Sequence, residues 1–153
     1  MNYWLFKTEP TTFSWSHLLK APDKITHWEG VRNYQARNYL KSMKTGDMVL
    51  FYHSIVEPLA IFGICSIVKE AYPDKFQFDE KSKYFDPKND PANPRWWMVD
   101  IKYKMEFSPP VTRDEIKSTP GLADMELLKK GSRLSIQPVT KSEYDLILSL
   151  RKK

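Results

Sequence analysis

The sequence predicts a mixed α+β domain, a small curved sheet or open barrel flanked by helices. Short apolar runs of strand length lie in the middle of the chain, and patterns of helical period lie on both sides of them. At 153 residues with 41% apolar composition there is material for one core and not for two, so residues 1–153 are expected to form a single domain.

Tyr3 to Lys7 opens the chain as a strand apolar on both faces, which suits a central position covered on two sides. Ser14 to Lys20 follows as a short helix, with Ser14 as N-cap and Trp15, Leu18 and Leu19 turned inward. Trp28 to Tyr39 runs from a loop into a second helix: Ala36, Tyr39, Leu40 and Met43 recur at helical spacing, and Lys44-Thr45-Gly46-Asp47 stops it. Met48 to Tyr52 is an uninterrupted apolar run, read as a buried strand. Leu59 to Ala71 is the next strand, and Gly63 within it marks a bulge or a close approach by another group.

Tyr72 to Arg95 carries four prolines and reads as a long, ordered excursion tacked down by Tyr84 and Phe85. From Trp96 to Phe107 the residues alternate, which predicts a half-buried strand with Trp97 inward and Trp96 on the opposite, polar face. Thr112 to Glu115 is a capping box opening a short helix, Leu122 to Lys130 an amphipathic piece, and Leu134 to Val139 a last strand. A second capping box, Thr140 to Glu143, launches a terminal helix with Tyr144, Ile147 and Leu148 inward.

A formal charge of +5 and a pI near 9.2 favour polyanionic partners. No apolar run approaches the roughly 20 residues of a membrane span, and the N-terminus lacks signal-peptide character. Cys65 is the sole cysteine, so no internal disulfide forms; a cytoplasmic location is expected, or a nuclear one in a eukaryote. No P-loop, dinucleotide fingerprint or metal-ligand spacing is present, so neither a cofactor nor a metal is expected.

Recognition groups are plentiful by contrast. Five Trp, eight Tyr and eight Phe exceed what a core of this size needs, which leaves some as stacking surfaces. Trp28 and Trp96 are candidates to sandwich one base; the competing assignment makes both ordinary core indoles. Asn33 either reads a base edge or caps the helix it precedes, and Ser54 offers a further hydroxyl. Arg32, Arg133 and Lys7 are candidate phosphate contacts. An enzyme with His53 or Glu29 as acid or base is the alternative from another class, and a protein-interaction adaptor with a flat aromatic surface is a third.

The segments Tyr3–Pro10, Trp28–Asn33, Lys44–Asp47, Phe51–Ser54, Asp90–Trp96 and Gly131–Val139 together resemble the EVE domain, a PUA-like family related to YTH domains. The resemblance implies a strongly curved sheet or pseudo-barrel. It also implies a non-catalytic reader of nucleic acid, DNA or RNA, carrying a modified base such as a 5-substituted cytosine; a monomer is expected. The matching positions are Trp28, Arg32, Asn33, Ser54, Trp96, Ser132 and Arg133.

Overall fold

Six strands of one sheet form in the computed structural model, which describes residues 1–151. They are β1 (Tyr3–Thr8), β2 (Ile25–His27), β3 (Met48–His53), β4 (Ala60–Pro73), β5 (Trp97–Thr112) and β6 (Ile136–Val139), in the spatial order β2-β5-β4-β3-β1-β6. β1 and β3 are parallel and the other neighbours antiparallel. The helices are α1 (Trp15–Lys20), α2 (Tyr34–Ser42), α3 (Arg113–Lys117) and α4 (Lys141–Ser149). A parallel pair needs a crossover, and the stretch holding α1 and α2 supplies it between β1 and β3.

The sheet is curled until its two sides meet. Trp28, just beyond β2, has its ring 5.1 Å from that of Phe6 in β1, although β5, β4 and β3 separate those strands within the sheet. Register slips along β4 and β5 help produce this curl. A Cβ on Gly63 would collide with the Met105 carbonyl and the Trp15 indole, so the expected close approach is present. The same slips end the strict alternation: Ile64 pairs with Met105 but Cys65 pairs with Tyr103, which leaves Met105 40% exposed where an inward position was expected.

Both faces of the central strands are buried. Trp4, Phe6, Val49 and Phe51 pack with Trp15, Trp28 and Leu40 on one side, and Leu5, Leu50, Ile61 and Phe107 pack with Ile116 and Ile147 on the other. Cys65 is a buried core residue, and burial pushes its thiol well above the usual range.

Ser14, Asn33, Thr112 and Thr140 are N-caps, each accepting from a backbone N–H three residues on. The box at Thr140 is complete, whereas at Thr112 the Glu115 carboxylate turns away to a two-point pair with Arg151 at 2.6 and 2.7 Å. Leu122 to Lys130 forms no full helix, only a 3-10 turn over Glu126–Leu128. β2 was not foreseen, because three half-buried residues on an edge carry no periodic signal.

The proline-rich segment 74–95 is ordered by its own polar groups. Asp79, Asp86 and Asp90 each accept from the N–H two residues on, and the buried Asp74 and Gln77 anchor the whole excursion.

Candidate functional site

A cleft of about 370 Å3 opens where the curled sheet closes on itself. The ends of β1 and β2 contribute Lys7, Thr8, Glu9, Thr12, Phe13 and the run His27–Val31. Lys83 and Tyr84 of the proline-rich segment and Ser135 ahead of β6 complete the wall. Four aromatic side chains, Phe13, His27, Trp28 and Tyr84, thus surround a space whose remaining lining, Gly30 and Val31 apart, is polar or charged. That mixture suits a flat ligand with polar edges, and the volume lies at the small end of ligand sites.

Trp28 is held in the core by Phe6, Phe13 and Phe51, with ring separations of 5.1, 6.1 and 5.6 Å. Its indole N–H has no partner among the described residues. Gln137 Oε1 is the one sealed, unpaired side-chain atom there, so the N–H of Trp28 is open to solvent. Glu29 approaches His27 Nε2 at 3.3 Å, and His27 stacks on Phe76.

The second wall is fixed by Asp74. Its buried carboxylate accepts from Gly30 N at 2.9 Å, Phe76 N at 2.8 Å and Arg32 Nη1 at 3.0 Å. Arg32 in turn donates to the Tyr84 carbonyl from Nε and Nη2, at 3.2 and 2.8 Å. Gly30 sits at φ +84 with the Tyr84 ring so near that a Cβ there would strike it. Arg32 therefore grips a loop and is not a free phosphate contact, which corrects the expectation from sequence.

The expected sandwich of Trp28 and Trp96 does not form. Trp96 lies outside the cleft wall, 6% exposed, stacked on Tyr34 at 5.1 Å with the Arg32 guanidinium 5.5 Å from its ring. Its Nε1 donates to Asp86 at 2.7 Å, and its backbone N–H and carbonyl are bound by Gln77. β5 begins at Trp97, so Trp96 belongs to the pinned loop and the alternation read through it does not apply. Trp97 is only half-buried, with Lys41 4.9 Å from its ring.

Of the other candidates, Lys7 lines the cleft, and partial burial with the nearby Arg113 charge lowers its pKa. Asn33 is exposed and spends its side-chain oxygen on Ala36 N, 2.9 Å away, as the cap. Ser54 donates from Oγ to the Thr8 carbonyl at 3.2 Å, beside the cleft and outside its lining. Ser132 donates to Glu126 at 3.0 Å, and Arg133 is exposed two residues before the cleft residue Ser135. Thr12, Phe13, Tyr84 and Ser135 also line the cleft and were not singled out, since they come from three separated segments that only the tertiary fold gathers.

His53 is poorly placed as a base. Its Nε2 accepts the Trp15 N–H at 3.0 Å, its ring stacks on Phe62, and burial lowers its pKa to about 4. Among the described residues no group of three His, Cys, Asp or Glu is arranged to hold a metal ion. No helix there is long and apolar enough to cross a membrane.

Known proteins share this architecture. Human thymocyte nuclear protein 1 is 40% identical over 168 residues, covering 99% of this chain and 75% of its own. The solved structure of the human THYN1 protein in complex with 5-methylcytosine-containing DNA superposes with a TM-score of 0.93 at 40% identity, covering 100% of this chain and 99% of that one. A hypothetical protein from Leishmania major matches with a TM-score of 0.92 at 42% identity, over 99% of this chain and 94% of its own. A yeast YTH domain from Zygosaccharomyces rouxii, at 13% identity and a TM-score of 0.56, shares the fold alone. The EVE domain family model matches residues 2–150, and with these relatives it establishes that the chain belongs to the EVE domain family.

Proposed function

We propose that the cleft holds one modified base of a nucleic acid, without chemistry, and that 5-substituted cytosine is the class it fits. The observation that carries this is the lining: the aromatic side chains of Phe13, Trp28 and Tyr84 stand beside Thr12, Lys83 and Ser135, which make no side-chain hydrogen bonds among the described residues, and beside Glu29, whose only partner there is His27. Cytosine presents an exocyclic amine, which a carboxylate accepts, and a ring carbonyl, which an N–H can meet. Glu29 supplies the first and the open Trp28 indole N–H the second. Lys7 and Lys83 at the cleft and Arg133 nearby take the phosphates, in keeping with the net charge of +5.

The human relative solved with 5-methylcytosine DNA supports the same class of ligand, at 40% identity across the whole chain. Stacking on an aromatic side chain contributes roughly 1–3 kcal/mol per base, enough to offset much of the cost of extracting one.

The test is Tyr84→Ala, which removes one wall on a surface segment and leaves the core intact. Titrated at fixed salt with oligonucleotides that differ only by a 5-methyl group on one cytosine, the wild type should prefer the modified strand. The variant should bind it about tenfold more weakly, within the range of one lost stacking contact. Equal affinity of the wild type for both strands would refute the assignment.

A further inference from the structure

The turn between β3 and β4 carries an unusual pair. Ile55 is 74% exposed and Val56 43%, and among the described residues no other large apolar residues so exposed adjoin in the chain. Ile55 also sits at φ +72, a region where a β-branched side chain is a genuine outlier. Val56 N donates to the Ser54 carbonyl at 2.8 Å, so Ile55 is the centre of a tight three-residue γ-turn of the rare positive-φ kind. Gly or Asn would meet that geometry with less strain, and neither would present an aliphatic tip to water. Strain of this kind, kept where the side chain gains nothing in the free protein, points to a contact made elsewhere.

The place of the turn says where. β1 and β3 are parallel and in register, with Thr8 opposite His53, so the residues after each strand emerge at the same end of the sheet. The Ser54 N–H and Oγ both donate to the Thr8 carbonyl, at 2.9 and 3.2 Å, and Thr8 and Glu9 line the cleft. On the other side of the turn the Leu59 carbonyl accepts from Arg113 N at 2.8 Å, which holds a cationic residue beside it. An apolar tip braced on both sides thus stands next to a base-sized cleft with Lys7 in its wall.

We propose that Ile55 and Val56 form a wedge that enters a double-stranded nucleic acid and fills the gap left in the stack when a base moves into the cleft. This rests on the cleft being a base pocket, and it adds that the partner is a duplex. Extraction leaves an apolar slot between the neighbouring base pairs, and aliphatic side chains are what proteins insert between base steps. A membrane or a protein surface is less favoured, because the turn is tied to Thr8 in the cleft lining, with Lys7 on that side and Arg113 on the other.

The double variant Ile55→Asn/Val56→Ser keeps a residue that tolerates positive φ and removes the aliphatic surface. Wild type and variant are titrated with a 5-methylcytosine strand, alone and as a duplex with 2-aminopurine beside the modified cytosine. The variant should bind the duplex at least tenfold more weakly and the single strand within twofold of wild type. The rise in 2-aminopurine fluorescence on wild-type binding should disappear. Equal losses on both strands, or no loss on the duplex, overturn the wedge while leaving the base pocket standing. Loss of binding to phosphatidylserine vesicles with duplex binding retained reassigns the tip to a lipid surface and overturns it too. If the wild type does not prefer methylated over unmethylated single strand, the base pocket itself has failed and the wedge falls with it.

Discussion

Trp28 and Trp96 are nearly equally buried, at 8% and 6% exposure, and they do opposite things. Around Trp96 every polar atom is spent inside the protein: its indole N–H on Asp86, its backbone on Gln77, its faces on Tyr34 and the Arg32 guanidinium. Around Trp28 the indole N–H is open, and the neighbours Thr12, Lys83 and Ser135 make no side-chain hydrogen bonds among the described residues. Burial alone therefore does not distinguish a binding residue from a structural one. What distinguishes them is whether the polar groups nearby have already found partners, since a satisfied group offers a ligand nothing and an open one loses little by exchanging water for it.

The strongest way to break the contrast is to free the Trp96 side. Asp74→Ala leaves Arg32 without its carboxylate and releases Gly30 and Phe76 together. The pair is largely desolvated, with Asp74 fully buried and the Arg32 side chain 23% exposed, so removing one partner should cost about 3 kcal/mol of unfolding free energy. Urea denaturation measures this. A loss below about 1 kcal/mol would mean that the segment 74–95 is not held by that carboxylate.

How much of this was legible in the sequence depends on how local each signal is. The caps at Ser14 and Thr140 and the run of β3 are set by residues near one another in the chain and appeared as expected, whereas Gly63 flags a close approach without naming its partners, the distant Met105 and Trp15. Trp28 and Lys7, singled out because they sit in segments of unusual composition, both line the cleft. Trp96 was misjudged because strand alternation was carried one residue past the start of β5, into a loop oriented by Gln77. Asp74 follows a proline in a charged stretch and looks like a solvated turn residue. Its role exists only once the loop 28–32 arrives beside it. Phe13, Tyr84 and Ser135 come from three separated segments, and no spacing rule can join them before the sheet curls.

A matched pair of substitutions sharpens the comparison. Trp28→Phe and Trp96→Phe remove the same indole N–H and a similar volume, and each should cost about 1–2 kcal/mol of stability. Only at Trp28 should affinity for a methylated oligonucleotide fall, by about tenfold, the worth of roughly 1.4 kcal/mol in one lost hydrogen bond to the base. Thermal melts and titrations on the same samples separate the effects. A comparable affinity loss at Trp96→Phe would show that the ladder of rings and the cleft act as one unit.

The smallest effect expected is at Lys7, a charged group of the cleft whose own pKa the fold displaces. Partial burial, with Arg113 adding repulsion, lowers its pKa from the ordinary value of 10.5. A phosphate seated on the ammonium restores the charged form, so the pKa in the complex lies above that of the free protein. Below the free value Lys7 is protonated in both states and affinity is flat. As pH rises between the two values binding must take up a proton, and affinity falls with each step. Lys7→Arg, charged throughout, should remove that decline. Lys7→Met should reduce the slope of log affinity against log salt by about one unit, the signature of one phosphate contact, and weaken methylated and unmethylated strands alike. An unchanged salt slope would place Lys7 with Arg32, among cations whose charge is used within the fold.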